Sequence, residues 1–96
     1  MLALVDCIAL SDLAEEEIDA IAEHEHVPEI AAVELGAYLI HRPGGSMAIR
    51  RMIIDDIVEA RLHERYVHSA KLQLVLQAFV ARYRASVAGA NESTNV

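Results

Sequence analysis

Pro28 divides the first half of this chain. It has no N–H to give to a helix, and it disfavours helical backbone at the preceding residue, Val27. Apolar helix-like sequence stands on both sides of it, at three- and four-residue steps before and nearly all round after. Leu10, Leu13, Ala14, Ile18, Ile21 and Ala22 come before, and Ile30, Ala32, Val33, Leu35, Leu39 and Ile40 come after. Two helices therefore meet at a corner here, and the fixed φ of Pro28 suits the first position of the second.

A second break is Arg42-Pro43-Gly44-Gly45-Ser46, where tandem glycines permit a tight reversal. A third is His63-Glu64-Arg65. These three breaks predict four helices. The first starts near Ser11 or Asp12, where Asp12 and Glu15 have capping-box spacing, and the second covers Pro28 to Ile40 or His41. The third covers Met47–Leu62 with Ser46 as its N-cap, and the fourth follows Arg65. Ile49, Ile53, Ile57 and Ala60 form the expected inner stripe of the third helix. Leu72, Val75, Leu76, Phe79, Val80 and Tyr83, with Ala70, Leu74 and Ala78, give the fourth a wide apolar surface. Residues 1–10 are expected as an arm or short helix lying on the bundle.

The fold expected is all-α: a four-helix domain of two helical hairpins with a short N-terminal arm. Residues 1–85 form the domain and residues 86–96, small and polar, form a flexible C-terminal tail. A core is within reach without disulfides or a structural metal, because 54% of the 96 residues are hydrophobic. One Phe, three Tyr and no Trp mean that aliphatic side chains build it. The single cysteine, Cys7, excludes an internal disulfide and is expected as a small buried hydrophobe.

Charge is distributed unevenly. Residues 1–41 hold ten carboxylates and no Lys or Arg, whereas residues 42–96 hold five carboxylates and eight basic residues. Such polarity joins the halves within one fold or brings opposite ends of two subunits together. A net charge of −7, with no basic residue in the first two helices, argues against nucleic acid as a partner. No apolar run reaches the roughly 20 residues of a membrane span. Met1–Leu10 has neither a basic segment nor a small-residue cleavage pattern, so a soluble, cytoplasmic protein is expected.

The candidate site is the cluster at the Pro28 corner. Glu23, His24, Glu25 and His26 bring carboxylates and imidazoles together, and Glu29 and Glu34 follow on the next helix. Glu23, His24, His26, Glu29 and Glu34 are the candidate metal ligands, since imidazole and carboxylate both offer lone pairs to iron or zinc. Glu23 and His26 have the E-x-x-H spacing that di-iron helical bundles use, but the chain contains it once. The competing reading is a structural corner, in which protonated histidines meet the negative end of a helix dipole. No zinc-protease spacing, nucleophile elbow or phosphate loop is present, so catalysis is not expected. Two broadly apolar helices in so short a chain are hard to cover alone, which predicts a homodimer. The functional expectation is a small helical interaction module without catalytic activity or cofactor, accessory or regulatory to a larger protein. The alternative is a metal-binding bundle built on the Glu23–His26 cluster.

Overall fold

The apolar periodicity and its breaks give helices throughout the computed structural model. It describes the backbone of residues 3–95 and the side chains of residues 3–83. The helices are α1 (Leu4–Leu10), α2 (Glu15–Glu25), α3 (Glu29–Ile40), α4 (Gly45–Leu62) and α5 (Tyr66–Asn95). The tail expected over residues 86–96 lies outside the residues described in full.

Among the described residues there are five helices, not four. The expected arm is a helix of its own, and Ser11 closes it instead of opening the next. The Ser11 hydroxyl donates to the Ile8 carbonyl (2.6 Å) and accepts the Leu13 N–H (3.2 Å), which makes a tight turn. Asp12 then takes a left-handed conformation, φ +65°, one that Asp tolerates better than most residues. The capping box expected from Asp12 and Glu15 does not form; only a carboxylate half of one occurs, two residues on. Ala14 is the N-cap of α2, and the Glu17 carboxylate accepts its N–H at 2.8 Å.

Pro28 caps α3, and the corner before it is completed by His26 in a left-handed conformation, φ +56°. The expected Ser46 cap of α4 is replaced by Gly44 at φ +78°. Gly45 begins the helix because the backbone folds back onto α3 there, where a Cβ would lie 1.4 Å from the Leu39 carbonyl oxygen. His63 ends α4, its Nδ1 donating to the Glu59 carbonyl at 3.0 Å, and Glu64 turns the chain at φ +57°.

α2 packs against α3, α4 and α5, while α1 rests on α3 and α4 packs along α5. The core therefore gathers around α2. Ile18 and Ile21 meet Ala32 and Val33 of α3, Ile49 and Ile53 of α4, and Leu72, Val75 and Phe79 of α5. Burying each of the larger of these side chains is worth roughly 1.5–3 kcal/mol. Phe79, the only phenylalanine, sits 4.8 Å centroid to centroid from Tyr83. Tyr83 donates its hydroxyl to the Asp12 carbonyl and ties α5 to the α1–α2 turn.

Of the apolar residues in the sequence patterns, Leu10, Ile30 and Leu74 are among those exposed. The shortest dimension of the fold is 17 Å, room for two layers of helices spaced 8–10 Å apart. In two layers each helix keeps an outward side, so a helix that is apolar all round leaves part of itself in solvent. No described helix is long and apolar enough to cross a membrane.

Candidate functional site: an acid and imidazole cluster between α2, α4 and α5

The last turn of α2 faces α4 and the start of α5. Glu23 and His24 are neighbours in sequence, so they point in different directions around the helix. The Glu23 Oε1 meets His68 Nε2 of α5 at 2.6 Å. The His24 Nε2 meets Asp55 Oδ2 of α4 at 3.3 Å. Each pair is a carboxylate and an imidazole from two different helices, brought together across 45 and 31 residues of sequence. The i,i+4 spacing pairs Asp55 with Arg51 on one helix; the structure pairs it with His24.

Asp56 is the least ordinary member. It is only 5% exposed, and its Oδ2 is buried without a hydrogen-bond partner. Burial raises its carboxyl from 3.8 to about 7. The charges of Glu23 and Asp55 push in the same direction, and those of His24 and His68 oppose them. His24 Nδ1 is likewise buried without a hydrogen-bond partner; Glu25, at 3.7 Å, is beyond hydrogen-bonding range. A cleft of about 440 Å³ opens here, lined by Glu23, His24, His26, Asp55, Asp56 and Glu59 among others.

The five residues read as ligands in the sequence do not form one group. Glu23, His24 and His26 line the cleft, with His26 exposed at the corner. Glu29 does not line this cleft. Partial burial raises its carboxyl, and the charges of Asp19 and Glu15 on α2 raise it further. Glu34 is on the outer side of α3 and exposed. Among the described residues, no three His, Cys, Asp or Glu side chains stand together as a ready metal-binding group. What sequence reasoning missed are Asp55, Asp56 and His68. One signal pointed to Asp56: it continues the inner stripe of α4, with Ile49, Ile53, Asp56 and Ala60 all buried. A carboxylate in that register has no ordinary reason to be there.

A second buried acid has a structural explanation. Glu17 is 1% exposed, and one of its oxygens takes both the Ala14 N–H and the Arg82 guanidinium of α5. Among the described residues this is the only ion pair formed by an arginine or lysine.

Comparison with known protein families, curated proteins and solved structures finds no match.

Proposed function

We propose that this protein is a small helical interaction module that works as a homodimer in the cytoplasm, as a non-catalytic accessory or regulatory partner of a larger protein. The observation that carries the reading is the outer side of α4. Met47, Ile54, Val58 and Leu62 are 37–73% exposed and fall within roughly an 80° arc at 100° per residue. They lie opposite the buried Ile49, Ile53 and Ala60. An exposed apolar stripe of this length marks a contact surface more often than a solvated one.

Charge supports a second copy as the first occupant. Arg50, Arg51 and Arg61 are exposed on α4, and none has a carboxylate within ion-pairing distance among the described residues. α3 presents the complement, with Ile30 and Tyr38 exposed around Glu34. Among the described residues, the charge imbalance between the halves is offset by an arginine or lysine ion pair only at Glu17–Arg82. The remainder is free to act between subunits.

Sedimentation equilibrium across a micromolar range tests this. A dimer is expected, and Ile54→Glu with Val58→Glu is expected to shift it to monomer while leaving the helical circular dichroism unchanged. A wild-type protein that stays at monomer mass throughout removes the reading.

A further inference from the structure

Two helix faces carry complementary charge that is not paired within the fold. At roughly 100° per residue, Arg51 falls between the exposed Val58 and Leu62 of α4, and Arg50 and Arg61 border the same stripe beside Ile54. The carboxylates nearest this stripe on α4, Asp55 and Glu59, already meet His24 and His63. Packing α4 on α4 of a second copy would set guanidinium groups against one another, which like charges oppose. The occupant that suits this face is acidic and apolar, and residues 1–41 hold ten carboxylates and no Lys or Arg. Among the described residues of that half, α2 exposes no large apolar side chain, and α1 is only seven residues long. α3 exposes Ile30, Glu34 and Tyr38 at steps of four, one line along the helix with a carboxylate between two apolar side chains.

We propose that the outer face of α4 in one copy packs on the outer face of α3 in a second copy, with Glu34 paired to the arginines of α4 across the contact. This rests on the dimer reading above and names its contact. A two-fold axis makes the contact twice, α3 on α4 and α4 on α3. Beside the α4 stripe lies a groove of about 810 Å³, lined by Met47, Arg50, Arg51, Met52 and Ile54 among others, with room for a large side chain such as Tyr38. Arginine, tyrosine and methionine are enriched where proteins meet, and methionine adapts its shape to what it touches. Arg42, just beyond α3, is engaged by Tyr38: its guanidinium lies 4.8 Å from the ring centroid and donates to the hydroxyl. Glu34 is left without a basic partner among the described residues. Charged pairs that flank an apolar contact fix which faces meet, and they weaken with salt.

Sedimentation equilibrium of the full-length chain and two charge-reversed variants tests this. Glu34→Lys, and separately Arg50→Glu with Arg51→Glu, are each expected to weaken dimerisation at least about tenfold, because each sets like charges across both contacts. Mixed in equal amounts, the two variants are expected to form a heterodimer about as tight as the wild-type dimer, since opposite charges then meet in both contacts. The wild-type dimer is expected to weaken as sodium chloride is raised. All three positions are exposed, and circular dichroism identifies any variant that does not fold; Glu34→Lys, a single exposed change, decides alone if the double variant fails. Glu34→Lys that dimerises as tightly as the wild type overturns the pairing and leaves the dimer reading standing. So does a mixture of the two folded variants that stays monomeric. A wild type at monomer mass throughout overturns both.

Discussion

Glu17 and Arg82 join the first and last parts of the core through a single oxygen, which also accepts the Ala14 N–H that starts α2. The other oxygen of Glu17 is buried without a partner. Arg82 is therefore what keeps a buried carboxylate paired. Arg82→Met is expected to destabilise the fold by about 2–3 kcal/mol, discounted from a fully buried pair because the arginine is partly exposed. Glu17→Leu with Arg82→Met is expected to cost less than Arg82→Met alone. Urea unfolding of these two variants and of Glu17→Leu alone measures the coupling; strict additivity would show that the pair contributes nothing.

Gly45 and Gly44 make opposite demands. A Cβ on Gly45 meets backbone at 1.4 Å, whereas one on Gly44 meets nothing within 4 Å, and the cost there is its φ of +78° alone. Gly45→Ala is expected to cost more than about 4 kcal/mol or to prevent folding. Gly44→Ala is expected to cost about 1–2 kcal/mol. Thermal melts of the two proteins give the order, and equal melting temperatures would contradict it.

Asp56 makes the fold pH-dependent in an unusual sense. Its folded-state carboxyl, near 7, holds a proton that the unfolded chain releases around 3.8. Its contribution is therefore most favourable below about pH 4 and is lost as pH rises to about 7. Asp56→Asn is expected to melt several degrees higher than the wild type at pH 8 and to show a smaller gain at pH 5. A variant that melts lower at pH 8 would mean that the ionised carboxylate has a partner in the fold.

His41 has the same sign of pH dependence for a different reason, a charged form held by partners instead of one penalised by burial. Its Nδ1 donates to the Ala37 carbonyl at 2.7 Å and its Nε2 to Asp12 at 3.1 Å, so both nitrogens carry hydrogen. The Ala37 bond, then the Asp12 contact, raise the imidazole above 6.5. The stability it adds is fully present below the unfolded value and lost as pH rises through the folded one. Asp12→Asn, which preserves the left-handed turn, is expected to lower the His41 titration midpoint in NMR spectra without restoring it fully, since the Ala37 bond remains. An unchanged midpoint would show that Asp12 has no influence.

Much of the fold was legible because its breaks are chemical. Pro28, Gly44-Gly45 and His63-Glu64-Arg65 each interrupt helix by missing hydrogen bonds, positive φ or a C-cap, and the structure turns at all three. The boundary at Ser11-Asp12 was read as a helix start, because its residue types serve a helix end and a helix start equally well. The Ser11 hydroxyl can serve the turn behind it or the N–H groups ahead, and only the packing of α1 on α3 selects the first.

The site divides in the same way. Glu23 and His24 stood out in the sequence because residue types and local spacing are visible there. Their partners were not, because Asp55, Asp56 and His68 reach them only after α4 and α5 fold back beside α2. The sequence by itself determined that this chain is helical, where most of its corners fall and which half carries the acid, since these follow from local backbone chemistry and composition. Tertiary structure alone decided that Asp56 is withdrawn from water among two carboxylate–imidazole pairs, and that Met47, Ile54, Val58 and Leu62 are not. Helical periodicity fixes which residues share a side of a helix, but only the neighbouring helices determine which side is covered.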